Sequence, residues 1–95
     1  MNDKINKAFR ATVRGMVQGV GFRYFVERVA NQIGVKGYVR NVPDGTVEVV
    51  ASGSDEQLRE LVDRIKEGPS VAHVTGVDLR WLDGAFEFKS FGIRF

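Results

Sequence analysis

The sequence predicts an α+β fold in which two helices pack on one face of an antiparallel sheet of four to five strands, the ferredoxin-like split βαβ sandwich. The apolar spacing changes along the chain in the order strand, helix, strand, strand, helix, strand, with a short extra strand at the end. Each helical segment has a single apolar face, so both can cover the same side of a sheet. With 95 residues, of which 43% are hydrophobic, the chain is expected to form one domain with one core.

The first strand and first helix follow from a change in the spacing of apolar residues. Apolar and polar residues alternate over 9–14, which is typical of a half-buried strand. Helical spacing then predicts a helix from about Phe22 to Ile33, and Gly34 stands where a residue just past a helix end belongs. The glycine-rich run 15–21 between them predicts a turn.

A hairpin is predicted next, from two apolar runs around a turn signal. Residues 35–40 alternate between apolar and polar, and residues 46–51 are rich in β-branched side chains. The tripeptide Pro43-Asp44-Gly45 between them is typical of a tight turn. The second and third strands are therefore expected to pair directly.

The second helix has clear start and stop signals. Ser54 can cap the first turn with its hydroxyl, and Gln57 three residues later completes a capping box. Gly68-Pro69 ends the helix. We expect the single histidine of the chain, His73, to lie in the connection 69–74 as a loop residue without a catalytic role.

The fourth strand and the end of the chain are predicted by further alternation. Residues 77–81 alternate, and Asp83-Gly84 predicts a turn. Phe86 and Phe88 alternate too, but the parity slips at Ser90 and continues on the opposite phase to Phe95. The slip predicts a bulge or bend in the last strand region.

Composition excludes several classes of protein. The chain has no cysteine and one histidine, which argues against a disulfide framework, a thiol nucleophile and a multi-histidine metal centre. No segment approaches the roughly 20 apolar residues of a membrane span, and residues 1–6 are polar, with no leader-like apolar run. We expect a frayed extension over 1–6, a single domain over 7–95, no cofactor and a cytoplasmic location.

The charges are distributed unevenly along the chain. The net charge is +2, but residues 1–43 carry +6 and residues 44–95 carry −4. Such an asymmetry suggests an anionic ligand near the first half of the chain.

The loop between the first strand and the first helix is the first candidate for binding that anion. Gln18, Gly19, Val20, Gly21 and Phe22 lead directly into the helix N-terminus. Glycines allow positive φ angles that turn successive N–H groups inward, and the helix N-terminus attracts negative charge. We expect a cradle for an anion the size of phosphate, although glycine-rich turns of this kind are often only tight turns.

Arg23 and Asn41 are the candidate polar side chains at the same site. Arg23 lies in the first helical turn, where a cation opposes the helix dipole unless an anion lies between them. Asn41 has the parity of the core-facing residues of the second strand, where an amide must find partners. A right-handed crossover makes the first two strands parallel, so their C-terminal ends meet at one end of the sheet. Arg23 could still be a surface arginine and Asn41 only a turn residue.

At these positions the sequence resembles the acylphosphatases. The resemblance is carried by Gly15-x-Val-Gln-Gly-Val-Gly-Phe-Arg23, by Gly37-Tyr-Val-Arg-Asn41 and by Gly45-Thr46-Val47, in this order. It extends over almost the whole chain, from Phe9 to Phe95. It implies a small enzyme that hydrolyses an acyl phosphate to a carboxylate and inorganic phosphate.

The resemblance also implies roles for individual residues. Arg23 and the amides of loop 18–23 would bind the phosphoryl group, and Asn41 would orient the attacking water. Gly15, Gly45 and Thr46 would support the site, with Thr46 holding Asn41. No metal and no phosphoenzyme are expected, inorganic phosphate is expected as product and competing ligand, and a monomer is expected.

Two other classes remain as alternatives. RNA-recognition domains share this layered fold, but the outward parity of the first strand shows Arg10, Thr12 and Arg14 rather than aromatic residues, so no nucleic acid is expected. A non-catalytic anion sensor, or a domain of a larger protein such as a hydrogenase-maturation protein, is the second alternative.

Overall fold

The computed structural model describes residues 7–83 and 87–95. Their chain order is the predicted one, with five strands and two helices: β1 (Lys7–Met16), α1 (Phe22–Ile33), β2 (Lys36–Asn41), β3 (Val47–Gly53), α2 (Asp55–Glu67), β4 (His73–Leu82) and β5 (Phe91–Arg94). Neither helix in these ranges is long and apolar enough to cross a membrane.

The strands form one sheet in the order β4-β1-β3-β2-β5. β3 is antiparallel to both β1 and β2, so β1 and β2 run in the same direction, as the predicted crossover requires. Their C-terminal ends therefore lie at one end of the sheet. This arrangement positions the candidate site.

The sheet is mixed rather than wholly antiparallel, because β5 pairs in parallel with β2. β4 is antiparallel to β1 and hence also to β2. The chain reverses once more between β4 and β5, so β5 runs in the direction of β2 on the opposite edge. A reversal between two strands that lie on opposite edges leaves no signal in the alternation of their residues.

The core lies between the sheet and the two helices. Buried side chains of β1 and β3 face buried side chains of both helices, the largest of them being Phe9, Phe22, Leu58, Leu61 and Ile65. Removing their apolar area from water is the main contribution to stability, at about 25 cal/mol per Å².

The helix boundaries follow from their predicted end signals. Gly34 has φ 99°, and its N–H donates to the carbonyl of Ala30, which ends α1. Ser54 and Gln57 form the complete capping box, with both reciprocal hydrogen bonds present. Both helices are therefore set by local chemistry.

Two predictions about the last third of the chain need correction or restriction. β4 begins at His73, which pairs with Met16, so His73 is an exposed strand residue and not a loop residue. The observed strand starts before the alternating residues 77–81. Its first residues lie at an open sheet edge, where both faces tolerate polar side chains, so they show no apolar alternation. β5 begins just after a bend at 89–90, where the parity slip occurs, whereas Phe86 lies outside the described residues.

The sheet face away from the helices is tied together by ion pairs. Glu48 at its centre accepts from Arg40 (2.6 Å) and from the Tyr38 hydroxyl (3.1 Å), and it lies 3.7 Å from Arg10. Arg94 stacks on the Tyr38 ring at 3.8 Å from the ring centroid. Burial, followed by the charge of Glu48, raises the pKa of Tyr38. Tyr38 on this face is thus packed against other side chains of the chain.

Candidate active site

The ends of β1 and β2 meet across β3. Asn41, the last residue of β2, pairs with Val47 of β3, which in turn pairs with Val13 of β1. β1 continues past this row to Met16, and the loop 17–21 then leads into α1. The structure therefore places the loop and Asn41 at the same end of the sheet, as the sequence predicts.

Three glycines shape the approach to α1. Gly15 has φ 128°, and a Cβ there would collide with the backbone carbonyl oxygen of His73. Gly19 and Gly21 have φ 75° and 76°, the left-handed conformation that favours glycine. The backbone can turn its N–H groups inward here, which is the conformation that an anion cradle needs.

The N-terminus of α1 is open to an anion. Gly21 is the N-cap and supplies no side chain to the first turn, and no acidic residue lies in that turn. Helix N-termini leave N–H groups without intrahelical partners, and they carry a partial positive charge. By contrast, α2 has Ser54 as its cap and two acidic residues in its first turn. The open end is the one beside the candidate site.

Arg23 is half-buried in this uncapped first turn. Its guanidinium carbon lies 4.9 Å from the ring centroid of Phe95. Within residues 7–83 and 87–95, no carboxylate lies within ion-pair distance of Arg23. An unpaired, partly buried arginine at the positive end of a helix is unfavourable until an anion binds.

Gln18 joins the loop to the hairpin turn that follows Asn41. Its side-chain Nε2 donates to the carbonyl oxygens of Val42 and Thr46, both at 2.8 Å. These contacts close the gap between the cradle and the end of β2. The sequence predicts Gln18 only as part of the loop, because a contact across 24 residues has no local signal.

We expect Gln18→Ala to lower kcat about tenfold. Misplacing reacting groups by 1 Å can cost about 10²-fold in rate, but the loop retains its glycines, so we expect a smaller displacement and a smaller loss. The two lost hydrogen bonds should also destabilise the fold by about 1–2 kcal/mol. Steady-state kinetics and thermal unfolding measure both effects. Gln32→Ala, which removes an exposed glutamine from α1, is the matched control; equal activity of the two variants would refute the positioning role of Gln18.

The turn between β2 and β3 is held by Asp44. Its Oδ1 accepts from the Thr46 backbone N–H (2.9 Å) and hydroxyl (2.6 Å), and these hydrogen bonds lower the pKa of Asp44. The hydroxyl of Thr46 therefore supports the turn, and in the described part of the chain no hydrogen bond joins it to Asn41. Gly45, at φ 96°, donates to the Val42 carbonyl within the same turn. The turn predicted from Pro43-Asp44-Gly45 is therefore present, and the Asp44 side chain stabilises it.

The side-chain oxygen of Asn41 is the exceptional atom of the site. Oδ1 is buried, and no group in the described part of the chain donates a hydrogen bond to it. A buried acceptor without a partner costs about 1–3 kcal/mol, and such atoms are rare in folded proteins. This oxygen is therefore a candidate to accept a hydrogen bond from a bound group or water.

No group of three or more acidic or histidine side chains that could hold a metal ion occurs among residues 7–83 and 87–95. The polar groups of the site include the guanidinium of Arg23, the side-chain amides of Gln18 and Asn41, and the N–H groups of a loop and a helix N-terminus. These groups bind anions and water.

Comparison with known proteins identifies the family to which the chain is similar. A family model described as acylphosphatase matches residues 9–93. An acylphosphatase of Pasteurella multocida is 52% identical over 83 residues, which are 87% of this chain and 92% of that protein.

Solved structures show the same fold. The crystal structure of acylphosphatase from Bacillus subtilis has a TM-score of 0.91 at 35% identity, covering 94% of this chain and 99% of that chain. A full-length HypF structure in a phosphate- and nucleotide-bound form has a TM-score of 0.86 at 27% identity. That match covers 98% of this chain and 12% of HypF, so a similar unit also occurs within a much larger protein.

Proposed function

The chain belongs to the acylphosphatase family, hydrolases that act on acyl phosphates, and from this premise we propose how its own residues perform the reaction. Arg23 and the amides of loop 18–23 bind the phosphoryl group. Asn41 orients the water that attacks phosphorus. The products are a carboxylate and inorganic phosphate, and the phosphate also competes with substrate for the site.

Binding of the phosphoryl group is supported by the open N-terminus of α1. The phosphoryl oxygens accept hydrogen bonds from the loop and first-turn N–H groups, whose dipole favours negative charge. Arg23 donates from a planar fork that matches two oxygens at once. The anion also removes the penalty of an unpaired arginine at this helix end. Substrate and phosphate product therefore share the same contacts.

The proposal that the protein orients the attacking water rests on the side chain of Asn41. Its buried, unpaired Oδ1 accepts a hydrogen bond from the attacking water. The Oδ1 acceptor directs one O–H of the water away from phosphorus, so that a lone pair of the water points towards the phosphorus atom. Gln18 holds the turn after Asn41 against the loop, so the distance between water and phosphoryl group is set by hydrogen bonds to the backbone. Proximity and orientation of this kind lower the barrier by converting an encounter into a unimolecular step.

The leaving group explains why so few side chains suffice. A carboxylate departs without a proton, since its conjugate acid has a pKa of about 4 to 5, like side-chain carboxyls. Phosphoryl transfer depends mainly on positioning and on stabilising charge on the equatorial oxygens. Arg23 and a ring of amides supply that stabilisation. The proton of the water passes to a phosphoryl oxygen, which the same donors hold within reach.

Hydrolysis of benzoyl phosphate, followed by ultraviolet absorbance in the presence and absence of EDTA, tests the proposal. Because charge stabilisation is assigned to Arg23 and backbone amides, we expect the same rate with and without EDTA. Loss of turnover in EDTA, with recovery on adding back a divalent cation, would show that a metal performs a step assigned here to the protein. If the protein were folded but did not hydrolyse benzoyl phosphate, we would conclude that the cradle only binds anions.

A further inference from the structure

Phe95 contacts one of the two residues assigned to the reaction. Its ring centroid lies 4.9 Å from the guanidinium carbon of Arg23. A phosphoryl group bound by Arg23 therefore lies close to this ring. In the bound substrate the acyl group is bonded to a phosphoryl oxygen. It must therefore lie within a few ångströms of the Phe95 ring.

The sheet brings Phe95 to the end where the other assigned residue lies. Arg94, the last residue of β5, pairs with Arg40 of β2 in a parallel register, so Phe95 follows β5 at the end of the sheet where Asn41 ends β2. Side chains alternate between faces along a strand. Phe91 and Ile93 of β5 contribute to the core side, and Phe95 follows them at the same two-residue spacing.

The ring of Phe95 is nevertheless uncovered. It is 94% exposed, whereas Phe91 at the start of β5 is 4% exposed. Burying a phenylalanine stabilises a protein by roughly 1.5–3 kcal/mol, and this ring obtains none of that gain from the fold. An apolar ligand that packs against it would obtain part of it instead.

Further apolar side chains are exposed at this end of the sheet. Met16 is 67% exposed where β1 leads into the loop, and it pairs with His73 at the start of β4. Val71, two residues before β4, is 66% exposed. The anion cradle thus lies at an end of the sheet where apolar surface is left in contact with solvent.

We propose that the Phe95 ring is one wall of a subsite for the acyl group, which makes the enzyme selective for acyl phosphates with a bulky apolar or aromatic acyl group. The inference rests on the proposed function of Arg23 and Asn41. The phosphoryl group is held by the cradle whatever the acyl group is. Discrimination between substrates therefore comes from the part that meets Phe95, and a small acyl group such as acetyl reaches little of the ring.

The test compares benzoyl phosphate and acetyl phosphate in wild type, Phe95→Ala and Phe95→Leu. We expect Phe95→Ala to lower kcat/KM for benzoyl phosphate about 2- to 10-fold, the range expected for loss of one aromatic contact. For acetyl phosphate we expect a change of less than about twofold, because little of that contact exists. Phe95→Leu should lie between wild type and Phe95→Ala on benzoyl phosphate.

Controls separate this role from a general one. The ring is almost fully exposed, so the thermal unfolding midpoint should not change in Phe95→Ala. Leu79→Ala removes an exposed apolar side chain from β4, on the opposite edge of the sheet, and should leave the ratio of the two kcat/KM values unchanged.

Two results would overturn the inference. If both substrates lost the same factor in Phe95→Ala, and inorganic phosphate inhibited more weakly, the ring would act only by positioning Arg23. If neither substrate were affected, the ring would have no role. Hydrolysis by wild type tests the proposed function separately: turnover of both substrates with an unchanged ratio in Phe95→Ala refutes only the acyl subsite, and no turnover of either refutes both.

Discussion

Arg23→Ala is expected to lower kcat/KM for benzoyl phosphate by about 10²–10³ or more, the loss that follows removal of one preorganised donor to a charged transition state. Arg23 carries the only side-chain positive charge assigned to the cradle, so the remaining amides must stabilise the phosphoryl oxygens alone. Inhibition by inorganic phosphate should weaken as well, because phosphate uses the same contacts. Steady-state kinetics with phosphate as inhibitor measure both quantities.

Arg23→Lys should recover little of this activity. Lysine keeps the charge but replaces a planar fork of donors by a compact ammonium group. Arg28→Ala is the matched control, since Arg28 is an exposed arginine on the same helix, about one turn further from the loop. If Arg23→Lys were as active as wild type, charge alone would suffice and the two-oxygen contact would be refuted. If Arg28→Ala lost as much as Arg23→Ala, the effect would belong to the general charge of α1.

Asn41→Ala is expected to lower kcat by about 10² or more, while the inhibition constant of inorganic phosphate changes much less. The amide is assigned to the water and not to the phosphoryl group, so the loss should appear in turnover and not in anion binding. Comparison of kcat with the phosphate inhibition constant separates the two. Loss of phosphate binding with normal turnover of bound substrate would contradict the role in orienting water.

Stability provides a second measurement for Asn41. A buried oxygen without a partner is a cost to the folded state, so its removal should leave the free energy of unfolding unchanged or raise it. An amide with a structural role would show the opposite, a loss of stability together with activity. Asn31→Ala, an exposed asparagine on α1, is the control for replacing an amide outside the site.

The helices and the hairpin could be predicted because their signals are local. The capping box of Ser54 and Gln57, the left-handed Gly34 and the turn at Asp44-Gly45 each act within a few residues. The predicted limits of α1, Phe22 and Ile33, are the observed ones. Apolar periodicity then assigns one face of each helix to the core.

The pairing at the two sheet edges could not be predicted in the same way. β5 is parallel to β2, and β4 extends back to His73 to pair with Met16. An edge strand has one partner and an open side, so its alternation specifies neither its length nor its neighbour. Which edge each strand occupies depends on contacts between distant parts of the chain.

Some residues assigned to the site could be predicted from local signals, and others depend on contacts between distant parts of the chain. The loop with Gly19 and Gly21, Arg23 and Asn41 could be named from residue type, parity and the right-handed crossover. Gln18 as a tie between loop and turn, and Phe95 as the neighbour of Arg23, could not. Both contacts join positions 24 or more residues apart.

Local sequence patterns were enough to predict the two-helix, split βαβ class, the glycine loop at a helix N-terminus, and an arginine and an asparagine at one end of the sheet. These depend on periodicity, capping and backbone conformation, which neighbouring residues control. The packed structure was needed to show that the Thr46 hydroxyl donates to Asp44, that the Oδ1 of Asn41 has no partner among residues 7–83 and 87–95, and that Phe95 lies exposed against Arg23. Hydrogen-bond partners and exposure depend on which distant groups the packed chain brings within about 3–5 Å, and no local pattern contains that information.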